Sequence, residues 1–237
     1  SGLMELRAKL SEHIERLYGV LYNPDDEIVV TVGVSEAVKC VFTAICDEGD
    51  EIIIPEPCFV SYQPEVLFAG GVPVTVNCKA ENNFEPLAEE IREKITDKTK
   101  AIFLGFPNNP TGAVLTRENA LAIAGLAREH DLLIVSDEIY DRLVYGVEHI
   151  CFSALPEMKE RTILLGGFSK DYAMPGWRVG YMCADPELTA AFSKVHQYAI
   201  MSAPTISQYA ALAALVIGEP FVREMHEKYN RRRTYLV

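Results

Sequence analysis

The segment at residues 162–181 has the sequence TILLGGFSKDYAMPGWRVGY and contains the most informative residue of the chain, Lys170. Its first four residues form an apolar run that predicts a short buried strand, and two glycines follow. Because Lys170 lies just past this strand among glycines and apolar residues, we expect it to be poorly solvated. Burial favours the neutral amine, and a neutral lysine is the form that makes a Schiff base with an aldehyde. A surface lysine after a turn explains this segment equally well.

Six further apolar runs of strand length occur, at residues 28–32, 51–54, 72–76, 101–105, 132–136 and 179–183. A helical pattern opens the chain, others cover residues 35–46, 86–95 and 117–130, and only helical patterns follow Pro186. Continuous apolar strands that alternate with helices are typical of a mostly parallel sheet with both faces covered. The sequence therefore predicts an α/β fold with three layers, α/β/α, around a mostly parallel sheet.

Length and composition are those of an ordinary globular protein. The chain has 237 residues, of which 49% are hydrophobic and 24% charged, enough for one sizeable core in one or two domains. The net charge of −12 argues against nucleic acid as the main partner, although one arginine and a helix N-terminus suffice to bind a phosphorylated ligand. No run of eighteen apolar residues exists, so no membrane partner is expected. Residues 1–19 are amphipathic and charged, unlike a signal peptide.

The cysteines and histidines form no recognisable metal or redox motif. Six cysteines are scattered along the chain without a C-x-x-C pair, mostly among apolar neighbours. We therefore expect reduced thiols in a cytoplasmic protein. The five histidines show no metal-ligand spacing, so no metal is expected.

Two glycine-containing motifs follow the ends of predicted strands, where open parallel sheets bind their ligands. The sequence GVSEA at residues 33–37 follows the first strand and opens a helix, whose free N–H groups can hold a phosphate. N-capping of that helix by Ser35 is an equally good explanation. The sequence PNNPTG at residues 107–112 follows the fourth strand, and its prolines and glycine fix the backbone that presents an asparagine side chain. An ordinary turn is the alternative.

Charged and aromatic residues that are candidates for ligand binding also lie near the ends of predicted strands. The sequence SDEIY at residues 136–140 puts Asp137 at the end of a hydrophobic strand, where an acid is costly unless it pairs with a cation or a protonated ring nitrogen. As a helix N-cap, Asp137 would need no ligand. Arg178 can bind phosphate through two N–H groups, or form a salt bridge with an acidic neighbour. Phe59, in EPCFVSY at residues 56–62, either stacks on a ring or belongs to the core.

Together these motifs place a phosphate site, an arginine, an acid, an asparagine, a tyrosine and a lysine on one edge of one sheet. That set is what pyridoxal phosphate needs. In this order, GVSEA, EPCFVSY, NNPTG, SDEIY and FSKDYAMPGWRVGY resemble the fold-type I, class I/II pyridoxal-phosphate aminotransferases over nearly the whole chain. The resemblance implies the fold of the aspartate aminotransferase large domain.

The resemblance also implies a role for each site residue. Lys170 carries the cofactor, Asp137 faces the pyridine nitrogen, and Tyr140 and Asn109 approach the ring oxygen; Lys170, Asp137 and Tyr140 form the catalytic set. Phe59 stacks on the ring, and the phosphate is held by Val34, Ser35, Arg178 and Ser169. The implied reaction transfers an amino group from an α-amino acid to a 2-oxo acid, in a protein that is a homodimer at full length.

Three departures from the family pattern are visible. Gly167 stands three residues before Lys170, where some branches have a phosphate-binding serine. We expect residues 1–237 to form the pyridoxal-phosphate-binding large domain. The smaller C-terminal domain, with its arginine for the substrate carboxylate, and the N-terminal arm, with its tyrosine, are expected to lie outside this chain.

Other functions share the same residues. A β-lyase or related eliminase would use the same cofactor contacts, and only its products would distinguish it. A cofactor-binding regulatory domain would need a DNA-binding module, which the sequence does not contain. A third alternative is a cofactor-binding scaffold without activity of its own. The sequence does not identify the amino acid or the oxo acid.

Overall fold

The computed structural model describes residues 1–236. Its helices are α1 (Met4–Tyr18), α2 (Gly33–Ile45), α3 (Tyr62–Phe68), α4 (Ala88–Arg92), α5 (Arg117–Glu129), α6 (Pro186–Ala199), α7 (Thr205–Ile217) and α8 (Glu219–Leu236). Its strands are β1 (Ile28–Thr31), β2 (Glu51–Glu56), β3 (Val72–Asn77), β4 (Thr99–Gly105), β5 (Leu133–Asp137), β6 (Thr162–Gly167) and β7 (Gly180–Cys183). Short 3₁₀ turns lie at Ala80–Asn82, Phe152–Ala154, Lys159–Arg161 and Pro175–Trp177.

The strands form one sheet in the order β1-β7-β6-β5-β4-β2-β3. Strands β2 to β6 pair in parallel, whereas β7 runs antiparallel to both of its neighbours, β6 and β1. Six strands therefore end at one edge of the sheet, and β7 begins there. This confirms the mostly parallel sheet. It also explains why Arg178, which precedes a strand, lies at the same edge as the loops that follow the other strands.

Helices cover both faces of the sheet, which confirms the three-layer α/β/α architecture. Side chains alternate between the faces along each strand. On one face Ile52 and Ile54 pack in a core with α2, α3 and α6. On the other face Ile53 and Leu104 pack with α4 and α5, while α1, α7 and α8 cover the half of the sheet around β1 and β7.

The predicted elements differ from the observed ones mainly at helix ends. The helix predicted at residues 86–95 is only five residues long, Ala88–Arg92. The amides of Lys94 and Ile95 bond three residues back rather than four, at 2.9 and 3.2 Å, so the chain tightens into a turn. Helix α2 starts at Gly33, two residues before the predicted start.

Crossing a membrane requires a long apolar helix. Within residues 1–236 no single helix has the necessary length and composition; α7 and α8 reach them only as a pair, with a bend of 81° between them. The six cysteines are free, in agreement with the prediction of reduced thiols.

Candidate functional site

A cavity of about 180 Å³ lies at the carboxyl edge of the sheet. Its walls come from the connections after β1, β2, β4, β5 and β6 and from the turn before β7. The side chains that the sequence singled out all line it: Val34, Ser35, Phe59, Asn109, Asp137, Tyr140, Ser169, Lys170 and Arg178. The structure brings these nine residues together, and their individual roles stay predictions.

Asp137 is the last residue of β5, in register with Gly105 on one side and Leu165 on the other. It is buried, with 5% of its surface exposed. Its Oδ2 accepts a hydrogen bond from the Tyr62 hydroxyl at 2.9 Å, and its Oδ1 accepts one from the Ile139 amide at 3.2 Å. No helix begins at this point of the described chain, so the interpretation of Asp137 as a helix N-cap is wrong.

Burial gives Asp137 an unusual affinity for protons. It raises the pKa of the carboxyl from 3.8 to about 6, although the bonds from Tyr62 and Ile139 and the charge of Lys170 oppose the change. A carboxylate in this position is stabilised by any group that brings a positive charge or a proton to it. A protonated ring nitrogen is such a group.

Tyr62 is a site residue that the sequence reasoning missed. It opens α3, is buried, and fixes the Asp137 carboxylate by donating a hydrogen bond to it. Gly105 makes room for it, because a Cβ there would lie 2.9 Å from the phenol ring. Tyr62 belongs to the motif EPCFVSY. Its hydrogen bond to Asp137, however, depends on how α3 packs over β4, and no short-range sequence pattern reveals that packing.

The turn from β1 into α2 is built around close backbone approaches. Gly33 has φ +72°, and a Cβ there would lie 2.6 Å from Arg178 Nη2. Glu36 caps the helix, since its Oε2 accepts a hydrogen bond from the Val32 amide at 2.5 Å. Ser35 therefore lies in the first turn rather than at the N-cap, and the capping interpretation of Ser35 is wrong. Val34 and Ser35 line the cavity from the first turn of α2, and the N–H groups of a first helical turn have no partner within the helix.

Arg178 completes this end of the cavity. Its backbone is left-handed, with φ +52°, and one guanidinium nitrogen donates to the Pro175 carbonyl at 3.0 Å. No carboxylate within residues 1–236 pairs with it, so the salt-bridge alternative is wrong. We call Val34, Ser35 and Arg178 the anion site, because together they offer helix N–H groups, a hydroxyl and a guanidinium.

The two asparagines after β4 differ in their surroundings. Asn108 is buried and holds the loop in place: its amide group donates to the Pro57 carbonyl at 3.2 Å, and its Oδ1 accepts from the Thr111 hydroxyl at 2.8 Å. Asn109 is exposed on the cavity wall. The loop is therefore more than an ordinary turn, since Asn108 anchors it and leaves Asn109 available to a ligand.

Lys170 does not have the environment that the sequence predicted. Its side chain is exposed, so the expectation of poor solvation is wrong. The residues after β6 form a turn at the open mouth of the cavity, and its apolar neighbour Phe168, rather than Lys170, points into the core. The ammonium nitrogen lies 5.3 Å from the centre of the Tyr140 ring, a cation–π distance that keeps it over the cavity. Ser169 lines the wall beside it.

Phe59 lies between core and solvent. Its ring is 41% exposed and meets Tyr62 edge-on, with centroids 5.8 Å apart and planes at 68°. A purely core role is excluded by that exposure, and a face of the ring remains available to a flat ligand.

The cavity thus has two chemically different sets of groups on its wall. The anion site suits a phosphate, and Asp137 suits a basic ring nitrogen, and an amine and an aromatic ring line the same cavity. The residues present fit pyridoxal phosphate.

Comparison with known proteins agrees with this geometry. The sequence model of the family described as aminotransferase class I and II matches residues 1–237. The chain belongs to the aminotransferase class I and II family. Within this family it is 44% identical to the aspartate/prephenate aminotransferase of Thermus thermophilus and 40% identical to the aspartate aminotransferase of Pyrococcus abyssi. The alignments cover 100% and 98% of the chain, and 62% and 60% of those two aminotransferases.

A solved aminotransferase has the same fold. The aromatic aminotransferase of Pyrococcus horikoshii superposes with a TM-score of 0.96 at 39% identity, over 99% of this chain and 64% of that structure. The chain thus spans about 60% of the length of the curated aminotransferases it matches.

Proposed function

We propose that the chain binds pyridoxal phosphate through Lys170 and is the cofactor-binding large domain of an aminotransferase. The observation that carries the proposal is the single cavity that a buried acid, an exposed lysine and the anion site line together. Family membership supports the cofactor, since the resemblance implies it. Localisation in the cytoplasm belongs to the same proposal.

The residues divide the work among binding, orientation and proton transfer. When bound, pyridoxal phosphate supplies an electron sink conjugated to the substrate's Cα. Asp137 holds a proton at the ring nitrogen, because the charge of its carboxylate stabilises the protonated ring, and burial makes that carboxylate depend on a neighbouring cation. The anion site fixes the phosphate, Phe59 covers one face of the ring, and Asn109 and Tyr140 orient the ring oxygen. Lys170 Nζ, the only amine lining the cavity within the described residues, takes the proton from the substrate's Cα and returns it.

The proposed substrates are an α-amino acid and a 2-oxo acid. The relatives named above are aspartate, prephenate and aromatic aminotransferases, and a Thermus thermophilus aspartate aminotransferase variant was solved with tryptophan. We further propose a homodimer for the full-length protein, because apolar side chains are exposed around the α6–α7 connection: Tyr198, Ile200, Met201, Ile206 and Tyr209.

Reductive trapping tests the cofactor site. The chain is incubated with pyridoxal phosphate, reduced with borohydride and digested, and the labelled peptide is sequenced. We expect one label, at Lys170, and none in the Lys170→Ala variant. Lys98→Ala, which removes an exposed lysine far from the cavity, is the matched control and should label like the parent. Label at another lysine, or spread over several, would refute the assignment.

Product analysis tests the reaction class. Transamination converts an amino acid into its 2-oxo acid and leaves the nitrogen on the cofactor, whereas elimination releases ammonia. We expect aminated cofactor in stoichiometric amount with the oxo acid in a single turnover. Ammonia in place of aminated cofactor would identify an eliminase.

A further inference from the structure

Two aspartates lie directly behind the cavity, each one residue past a predicted catalytic residue. Asp141 follows Tyr140 and Asp171 follows Lys170. Asp171 is buried, with 4% exposure, and within residues 1–236 its Oδ1 has no hydrogen-bond partner. A buried carboxylate oxygen without a donor costs free energy, so its protonation state requires an explanation.

The groups around Asp171 do not supply a free cation. Its carboxyl lies within hydrogen-bonding reach of the Asp141 carboxyl, which in turn accepts the hydroxyl hydrogen of Tyr18. Arg142 is the nearby cation, but two of its nitrogens donate to the Glu219 carboxylate at 2.9 and 2.7 Å. The other titratable groups that face this pair or its neighbour Arg142 are His13, Tyr18, His149, Cys151, Tyr172, Tyr181 and Glu219.

Two neighbouring carboxylates, of which Asp171 is buried and Asp141 half-buried, cannot both ionise without strong repulsion, and one of them retains a proton. We propose that Asp171 is protonated at neutral pH and donates a hydrogen bond to Asp141, so that one shared proton holds the Lys170 turn against the Tyr140 segment. Asp141 is the acceptor because its carboxyl already accepts from Tyr18, whereas the buried Asp171 Oδ1 has no donor within residues 1–236.

The electrostatics agree with this assignment. Burial, followed by the charge of Asp141 and the hydrogen bond to it, raises the pKa of Asp171 well above 3.8, and Arg142 opposes the change. The shared proton makes Asp171 a positioning residue: it acts on Lys170 Nζ and the Tyr140 ring, which lie 5.3 Å apart, and touches neither the cavity nor a ligand. This consequence rests on the proposed function, whereas the shared proton itself does not.

The protonation state can be measured in the unmodified chain. Carboxyl ¹³C resonances of aspartate, assigned through the backbone, are followed from pH 3 to pH 9 without cofactor. We expect the Asp171 resonance to remain in its protonated position at pH 7, and the resonance of the exposed Asp97 serves as the reference. Titration of Asp171 together with Asp97 would overturn the proposal.

Isosteric variants separate the shared proton from simple packing. Asp171→Asn keeps a donor toward Asp141 but cannot titrate. In the parent, the folded state holds a proton that the unfolded state loses above pH 4. The unfolding constant of the parent, relative to that of Asp171→Asn, should therefore rise by up to tenfold per pH unit from pH 4 upward. The rise should level off at the pKa that Asp171 has in the folded state. Asp97→Asn should leave the parent's pH profile unchanged. Equal profiles for the parent and Asp171→Asn would refute the shared proton.

A second variant tests the partner. Asp141→Asn removes the neighbouring charge, so the Asp171 carbon should titrate at lower pH than in the parent. A purely structural role of Asp141 would leave that midpoint where it is, and such a result would contradict the proposal.

The positioning role has its own readout. The rate of borohydride-trapped labelling at Lys170 is compared between the parent and Asp171→Asn as pH rises through the Asp171 midpoint. The ratio of parent to variant should fall, because only the parent acquires a second negative charge beside Asp141. A constant ratio would refute the positioning role. Absence of label at Lys170 in both proteins would instead refute the proposed function and leave the carboxyl titration standing.

Discussion

Asp137 has its acidity set by the fold rather than by a charged partner. It ends a central strand, where water is excluded, and its donors are one phenol and one backbone amide. Such a site disfavours the isolated carboxylate and favours it when a cation or proton is adjacent. The residue is therefore suited to hold a proton on a ligand, at a cost to the stability of the protein without ligand.

That cost leads to a prediction for Asp137→Asn in the cofactor-free chain. The pKa of the Asp137 carboxyl is about 6 in the folded state and 3.8 in the unfolded state. The stability that the protonated carboxyl contributes is therefore fully present below pH 3.8 and is lost as pH rises through 6. The loss amounts to about 3 kcal/mol. The difference in unfolding free energy, variant minus parent, should therefore rise by about that amount between pH 4 and pH 7. Urea titrations at several pH values measure it, with Asp97→Asn as control; a difference that stays flat would contradict the raised pKa.

Residue environments were the least predictable part of the site from sequence. The motifs identified Lys170 correctly as lying at a strand end, but its solvation depends on which side of the following turn points inward, and Phe168 occupies that side. Tyr62 was overlooked because its bond to Asp137 spans 75 residues. Such contacts depend on the relative placement of elements, which composition and periodicity do not encode.

At the scale of elements, the start of α2 depends on a network that crosses the molecule. Glu36 caps the helix through the Val32 amide and also contacts the buried His196 ring at 2.6 Å. The second ring nitrogen of His196 lies 3.0 Å from the Ser1 hydroxyl. The helix end that contributes to the anion site is therefore fixed by α6 as well as by its own residues.

The close packing at Gly33 gives an element-scale prediction with an internal control. Gly33 and Gly19 both have φ +72°, but a Cβ at Gly19 meets nothing within 4 Å. Alanine at either position should cost about 1–2 kcal/mol of stability, the penalty of a left-handed backbone. Only Gly33→Ala displaces Arg178, so only that variant should weaken pyridoxal phosphate binding, by about tenfold or more, for a loss of about 1.4 kcal/mol.

Equilibrium titration of cofactor absorbance measures the two affinities, and thermal or urea unfolding measures the stabilities. Equal affinities for Gly33→Ala and Gly19→Ala would show that the Arg178 side chain does not hold the phosphate.

Element order was largely predictable, because each strand is a continuous apolar run and helical patterns separate several of these runs. The seven predicted strands all occur. The direction of β7 was not predictable in the same way, because an apolar run of four residues does not indicate whether the strand runs parallel or antiparallel to its neighbours. The length of α4 was overestimated because a tight turn at Lys94 and Ile95 continues the helical pattern without the helical bonds.

At the scale of the whole molecule, two features have opposite effects on association. The exposed apolar residues around the α6–α7 connection favour it, whereas the net charge of −12 keeps the chains apart in solution. Tyr198 is 87% and Ile206 is 73% exposed. Burial of such a surface against a second copy is favourable, while the two like-charged chains repel each other. We therefore predict self-association that strengthens with salt, because ions screen the repulsion.

Sedimentation velocity at 0.05 and 0.5 M salt measures this association. Ile206→Glu should weaken it by about tenfold or more, since it places a charge in an apolar contact. Leu21→Glu, at an exposed leucine outside the connection, should leave it unchanged. A monomer at both salt concentrations would contradict the prediction.

The pairing of β1 with β7 has a consequence for synthesis on the ribosome. β1 emerges first but lies at the edge of the sheet, where its only neighbour among the described strands is β7. The turn after β1 and the arginine before β7 must both be present to hold a phosphate, and the Glu36–His196 contact that braces this turn joins residues 160 positions apart. We therefore predict that the proposed cofactor is captured only after α6 has left the exit tunnel, when nearly the entire sheet domain has been translated.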